Sequence, residues 1–222
     1  MKDTRREEGV RQTGGTGRAN AITEGVIWKQ LLIFFFPILV GSFFQQLYNT
    51  VDSVIVGQFV GKEALSSVGG SAGQIISLVV GFFTGVSTGA TVIISQYFGA
   101  GKKEEIEESL HTAYAFALVG GLVLGIAGIV FAPQMLRWMN TPEELIAESV
   151  LYVRVYFSGL IFIFIYNMGA AILRAVGDSK RPLYYLIVCS VVNIILDLLL
   201  ILVIPLGVLG AAIATLIAQA VS

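Results

Sequence analysis

The segment Leu31–Asp52, LLIFFFPILVGSFFQQLYNTVD, decides the fold class of this chain. Its first half is almost wholly apolar, and its second half carries glutamines, an asparagine and finally the carboxylate of Asp52. A helix that crosses a bilayer needs about 20 predominantly apolar residues. Placing an ionisable residue near the bilayer centre costs on the order of 3 kcal/mol, so such a residue in a membrane helix usually has a function. The segment therefore predicts a membrane protein with a functional carboxylate.

The composition of the whole 222-residue chain indicates the same class. It is 55% hydrophobic and 13% charged, with a mean hydropathy of +0.81. These values are typical of a protein with several membrane spans and exclude an ordinary soluble domain. No basic patch suggests a nucleic-acid partner, and the single cysteine, Cys189, excludes an internal disulfide and a cysteine metal cluster.

The order of polar and apolar segments predicts an all-α membrane protein with about six transmembrane helices. Residues 1–24 are rich in Arg, Glu, Gly and Thr without apolar periodicity, so we predict a disordered cytoplasmic tail there. Residues 25–222 are predicted to form one bundle. We expect its sixth helix to be incomplete, because about 15 residues follow its start and a crossing needs about 20. The predicted spans are 28–58, 65–98, 106–131, 141–175, 183–204 and a sixth from 208.

Proline and small residues predict where these helices bend and where they pack closely. Pro37 removes one backbone hydrogen bond and predicts a bend in the first helix. Small residues at every fourth position form a ridge that a neighbouring helix backbone can approach. They are Gly69, Gly73, Ser77, Gly81, Gly85 and Gly89 in the second helix, with Gly120, Gly121, Gly125 and Gly128 in the third.

The basic residues predict the orientation of the chain in the membrane. Lys and Arg concentrate in the N-terminal tail, in the connection after the second helix and in the connection after the fourth, which all fall on one side. The opposite side has only Lys62, Arg137 and Arg154. We therefore predict an integral protein of the plasma (inner) membrane with a cytoplasmic N-terminus.

Polar side chains on three of the predicted helices converge in the outer half of the bundle. On the first helix they recur at steps of three, four and three, which places them on one face. Those of the fifth and sixth helices lie at similar depth below the turn that joins these two helices. The residues are Ser42, Gln45, Asn49 and Asp52 on the first helix, Asn193 and Asp197 on the fifth, and Thr215 and Gln219 on the sixth.

Two carboxylates in a medium of low dielectric cannot both stay ionised and unpaired. Either one carries a proton, or a cation such as Na⁺ lies between Asp52 and Asp197 with oxygens of Asn193 and Thr215 completing its shell. Gln45, Asn49 and Gln219 would support this site as a polar face. A purely structural polar contact between helices is the alternative, since such hydrogen bonds also stabilise bundles.

No pattern in the sequence predicts an enzyme. It has no Ser/His pair, metal-ligand spacing or phosphate-binding glycine loop. Two aspartates on different membrane helices also occur in intramembrane aspartyl proteases, but those carry them in Tyr-Asp and Gly-x-Gly-Asp settings. Here the aspartates follow Thr-Val and Ile-Leu, at Asp52 and Asp197.

Four short motifs are the most specific features of the chain. They are QLYNTVD at 46–52, VGQFVG at 56–61 followed by Ala64-Leu65, QYFGAG at 96–101, and LRAVGD at 173–178 before Pro182. Together they resemble the N-terminal half of a multidrug and toxic compound extrusion (MATE) transporter. The similarity runs from Ile22 to Ser222 and leaves only the tail outside it.

The resemblance implies a twelve-helix antiporter of two six-helix lobes that exports organic, often cationic, compounds in exchange for Na⁺ or H⁺, without an organic cofactor. The family pattern places a cation site at Asp52, Asn193, Asp197 and Thr215 and a bend at Pro37. We expect aromatic side chains to line a cavity for flat cations, although interface or core packing also explains such residues. These aromatic residues are Phe44, Tyr48, Tyr156 and Tyr166.

This sequence resembles one lobe, so three interpretations remain open. The chain is the N-terminal half of a transporter, it pairs with a separate C-terminal half or a second copy, or it is a truncated membrane fragment that does not transport. A flippase for lipid-linked sugars has the same general architecture, but its expected series of basic residues within the membrane is missing here.

Overall fold

The computed structural model describes residues 27–222, which contain helices and no strand. The predicted tail, residues 1–24, lies outside the described residues. The elements are α1 (Ile27–Ile55) continued by a π-helical turn (Val56–Val60), α2 (Lys62–Gly69), α3 (Ser71–Gly99), α4 (Lys103–Trp138), α5 (Glu143–Ser158), α6 (Leu160–Ala175), α7 (Lys180–Asp197) continued by a second π-helical turn (Leu198–Val203), and α8 (Val208–Val221).

Four helical segments are long and apolar enough to cross a membrane, and α5 with α6 makes a fifth if that bent pair forms one span. The shorter α8 is also apolar. The prediction of an all-α membrane bundle is therefore confirmed. The four continuous segments are Trp28–Val60, Lys62–Gly99, Lys103–Trp138 and Lys180–Val203.

The chain bends by 49° between α5 and α6, at Gly159. A Cβ atom at this position would overlap the side chain of Leu216 on α8, so the glycine lets α8 pack directly into the bend. The sequence predicts a single helix over 141–175, and the structure divides it into α5 and α6. The sequence does not reveal the break because the apolar pattern stays helical on both sides of it, and a single glycine does not by itself predict one. In the second predicted span only Gly70 interrupts the helix, between α2 and α3, and Lys62–Gly99 still counts as one span.

Helix α1 packs along α7 and continues through Pro37 without interruption. Gly41 lies at this contact, where a Cβ would stand 3.6 Å from Leu183 and from Leu186, an ordinary packing distance. Pro37 itself is buried. A bend at Pro37 stays a prediction.

The small residues of α3 and α4 behave differently. In α4, a Cβ at Gly121 would stand 2.8 Å from the Ile161 Cα, and one at Gly128 would overlap the Phe157 ring, so these glycines make room for the bent α5–α6 pair. In α3 the ridge packs against no other described helix, contrary to our prediction, because it lies on an open face of the bundle. Positions Gly69, Gly81, Gly85 and Gly89 have no atom within 4 Å of a Cβ, Gly73 meets only Val68 of its own chain segment, and Ser77 is exposed.

Aromatic rings fill the centre of the bundle between α3, α4 and α6. Phe83 stacks on Phe164 with ring centroids 3.5 Å apart and on Phe116 at 5.7 Å. Phe83 and Phe164 are almost fully buried, whereas Phe116 is exposed at the rim. Burial of rings of this size provides much of the packing energy of such a core.

Arg154 completes a backbone hydrogen bond that α4 cannot make. Pro133 lies inside α4 and has no N–H to donate to the carbonyl of Ile129, four residues earlier. The Arg154 Nε donates to that carbonyl at 3.2 Å. The arginine of α5 thereby compensates for the proline of α4, in a region where an unsatisfied carbonyl is costly.

Alanine substitutions at Gly128 and Gly85 should distinguish the packed glycines of α4 from the open glycines of α3. Gly128→Ala is expected to destabilise the protein by about 1–3 kcal/mol, because the added Cβ must displace Phe157. The matched control Gly85→Ala is expected to be neutral or slightly stabilising, since its Cβ meets open space and alanine is favoured in helices by up to about 1 kcal/mol. Thermal unfolding of the purified protein in detergent measures both, and equal effects would contradict the assignment.

The pairing of Arg154 with Ile129 predicts a thermodynamic coupling to Pro133. Arg154→Met is expected to cost about 1 kcal/mol in the natural background. The cost should shrink in Pro133→Ala, because the new Ala N–H satisfies the Ile129 carbonyl. A double-mutant cycle on thermal unfolding gives the coupling. An identical cost of Arg154→Met in both backgrounds would show that the hydrogen bond contributes nothing.

Candidate functional site

Asp52 and Asp197 meet where α1 lies against α7. Asp52 is in the last turn of α1, Asp197 is the last residue of α7, and the two side chains are close enough to interact directly. Asp197 has 0% exposure and Asp52 is half-buried. Two residues 145 positions apart are thus brought together in the bundle, as the sequence predicts for residues at equal depth.

Each aspartate precedes a π-helical turn, and the two turns contact each other. Val56–Val60 follows Asp52 after three residues, and Leu198–Val203 follows Asp197 directly. A π-helical turn is wider than an α-helical one and leaves its backbone groups less regularly paired, which is why such turns are frequent at functional sites. Both helices therefore change their winding at the level of the carboxyl pair.

Asn193 lies one turn before Asp197 on α7 and is 2% exposed. Within residues 27–222, five buried polar atoms around it have no hydrogen-bond partner: one oxygen of Asp52, both oxygens of Asp197, and both amide atoms of Asn193. Two ionised carboxylates have no hydrogen to share, so a bond between them requires a proton. A buried polar atom left unpaired costs about 1–3 kcal/mol. A proton or a cation at this cluster would satisfy several of these atoms.

Thr215 of α8, the third helix of the predicted site, is half-buried. Its hydroxyl donates to the Ala211 carbonyl at 3.0 Å, on its own helix. Because the hydrogen is used in this way, the oxygen keeps its lone pairs for a further partner. Helix α8 packs on α7, the helix that carries Asn193 and Asp197.

Tyr152 of α5 is a member of this cluster that the sequence analysis missed. It is buried and lies within electrostatic range of both Asp52 and Asp197. It also stands one helical turn before Tyr156, with the two ring centroids 6.2 Å apart. That spacing, on a helix where Tyr156 had already been selected, is the signal that would have identified it.

A cavity of about 280 Å³ adjoins the site and is lined by three of the four aromatic residues selected from the sequence, Tyr48, Tyr156 and Tyr166. Gln45, Gln219 and Pro37 also line it. Tyr166 is anchored there because its hydroxyl donates to the Pro182 carbonyl at 3.3 Å.

Two residues expected in this region lie outside the cavity. Phe44 falls beyond the arc of α1 that faces the cavity and packs edge-on against Phe43, with centroids 6.3 Å apart. Asn49 lies exposed on α1. The polar face of α1 is therefore divided: Ser42 and Gln45 line the cavity, and Asn49 does not.

Tyr48 connects the cavity to the carboxyl pair. Its side chain lines the cavity and lies within electrostatic range of Asp52. A charge bound at either place therefore acts on the other through protein that screens poorly.

Comparison with known proteins places this arrangement in a family. The MatE family model matches residues 37–199. The probable multidrug resistance protein YoeA of Bacillus subtilis (strain 168) is 34% identical over 195 residues, which are 86% of this chain and 42% of that protein. The probable multidrug resistance protein YpnP of the same organism is 34% identical over 208 residues, 92% of this chain and 46% of that protein.

Solved structures show the same relation. A MATE transporter in complex with MaD3S superposes with a TM-score of 0.86 at 27% identity, covering 92% of this chain and 46% of that one. The outward-facing conformation of a multidrug resistance MATE family transporter of the MOP superfamily also gives 0.86 at 27% identity, over 93% and 45%. The chain spans about half the length of the relatives it matches. From its sequence, its helices and these similarities, it is an integral membrane protein that belongs to the MATE transporter family.

Proposed function

We propose that this chain forms the N-terminal, cation-binding lobe of an antiporter that exports organic, often cationic, compounds across the plasma membrane in exchange for Na⁺ or H⁺. The observation that carries the proposal is the buried pair of Asp52 and Asp197, with the unpaired amide of Asn193 beside it and an aromatic cavity next to it. The names of YoeA and YpnP, probable multidrug resistance proteins, support export as the activity.

The donor set fits a proton or a hard monovalent cation. Carboxylate, amide and hydroxyl oxygens from Asp52, Asp197, Asn193 and Thr215 are suitable ligands for Na⁺, and the carboxyl pair alone can hold a shared proton. In the described part of the chain, no three His, Cys, Asp or Glu side chains lie close enough together to hold a metal ion. Clusters of that kind are what transition metals usually need. The same residues hold the ion whichever of the two is used.

Export follows from competition between the two neighbouring sites. An ion at Asp52 and Asp197 reduces the negative charge that attracts a cationic compound towards Tyr48. Binding of the compound must weaken binding of the ion by the same factor, since coupling between two sites is reciprocal. The ion gradient then drives release of the compound on the side where the ion is abundant.

The remaining half of the transporter is part of the proposal. Because the chain spans about half of its relatives, we expect the complete substrate cavity to need a C-terminal half or a second copy of the chain. We also expect the N-terminus to face the cytoplasm, on the side with the excess of Lys and Arg.

Neutralising either aspartate should uncouple transport. In cells that express the complete transporter containing this chain, Asp52→Asn and Asp197→Asn are each expected to lower ion-dependent efflux of a fluorescent organic cation at least about tenfold, as loss of a buried charged ligand costs several kcal/mol. The control Glu107→Gln removes an exposed carboxylate of α4 and should leave efflux unchanged. Normal ion-dependent efflux in both aspartate variants would disprove the ion site.

A substitution in the aromatic cavity should weaken binding of the organic compound and leave binding of the ion unchanged. Tyr156→Ala is expected to weaken binding of a flat organic cation by about 2- to 30-fold, the range of a cation–π contact of 0.5–2 kcal/mol, with ion dependence of efflux retained. Tyr184→Ala, which removes an exposed tyrosine of α7, serves as the control. Equal binding in the two variants, measured by fluorescence titration of the purified transporter, would place the compound elsewhere.

A further inference from the structure

Arg174 is a cation without an acidic partner among residues 27–222. It lies half-buried in the last turn of α6, where three cavities meet. The ion pairs within the described residues are Lys102–Glu105 and Arg181–Asp178, so Arg174 takes part in none there. A guanidinium keeps its charge in proteins and has five N–H donors. Its position inside the bundle therefore calls for an anion.

The cavity beside Arg174 contains a second free donor. This cavity of about 350 Å³ lies between α3 and α6, and Ser87 of α3 lines it. Ser87 is 2% exposed, and its hydroxyl has no hydrogen-bond partner in the part of the chain that the structure describes. Its neighbour Thr91 is already engaged, donating to the carbonyl of Ser87 at 3.0 Å and lying 3.3 Å from that of Ala171. A guanidinium together with a free hydroxyl is a donor set that suits the oxygens of a phosphate.

Apolar grooves continue from this cavity along α1. Phe34 lines the Arg174 cavity and two further cavities, of about 350 and 520 Å³. Leu31, which is 61% exposed, lines both of the latter. The site therefore joins a polar pocket for an anionic group to an apolar groove on the surface of the bundle. A ligand that fills both has a charged head and a hydrocarbon tail.

We propose that Arg174 and Ser87 bind the phosphate of an anionic phospholipid, whose acyl chain lies in the apolar groove next to Leu31 and Phe34. A free phosphate ion has the same head chemistry but would leave the groove empty, so the continuous apolar surface favours the lipid. Arg174 also lines the aromatic cavity, but none of these four residues belongs to the carboxyl pair, so the lipid proposal does not rest on the ion site.

Lipid titration of the purified chain tests the proposal. Phosphatidylglycerol and phosphatidylcholine are added separately to the protein in detergent, inorganic phosphate is added in a third series, and thermal unfolding and native mass spectrometry report binding. The intact chain should prefer phosphatidylglycerol roughly tenfold, as expected for hydrogen bonds to a charged group. Arg174→Met should abolish the preference, and Ser87→Ala should reduce it by about threefold.

The control Arg181→Met removes a cation that is already paired with Asp178, at 3.1 Å, and should keep the full preference. If Arg174 only stabilises the end of its helix, Arg174→Met should lower thermal stability by the same amount in phosphatidylglycerol and in phosphatidylcholine. That result would overturn the proposal. A preference that survives Arg174→Met, or a shift that inorganic phosphate produces in full, would overturn it as well. If Arg174→Met does not fold, Ser87→Ala and Arg174→Lys provide the test. Both should weaken binding of phosphatidylglycerol and leave binding of phosphatidylcholine unchanged.

Discussion

The approach of Asp52 to Asp197 is the constraint on which the rest of the structure depends. Two carboxyl groups that meet away from water leave buried oxygens without partners, and a bundle keeps such an arrangement only if its packing holds it in place. Here α1 packs along α7, and both helices change to π-helical winding next to the pair. The ordinary hydrophobic core lies elsewhere, around the stacked rings of Phe83 and Phe164.

The sequence predicts those contacts that follow from two residues lying at the same depth in the membrane. Asp52 and Asp197 lie at matching distances from the ends of their spans, so their meeting follows from topology alone. Tyr152 escaped because a tyrosine in an apolar helix has the same pattern whether it faces the core or a polar cluster. The break at Gly159 escaped because the contact that requires it comes from Leu216, a residue 57 positions away that a local pattern cannot reveal.

The two glycine ridges explain a more general limit. In a soluble bundle the apolar face of a helix turns inwards, but in a membrane the lipid and the neighbouring helices are equally apolar. The spacing of small residues in α3 and α4 is therefore similar, while only the α4 ridge receives another helix within the described residues. Composition predicts that a helix lies in the membrane, and the partner of each of its faces has to come from the structure.

Leu216 fills the space beside Gly159 and so acts as a wedge between the two halves of the bent pair. It is adjacent in sequence to Thr215, while Tyr156 and Tyr166 stand on either side of the bend. The bend and α8 are therefore packed against each other at this one contact. A larger side chain at Gly159 would displace Leu216, and it would therefore disturb both the bend between Tyr156 and Tyr166 and the part of α8 that carries Thr215.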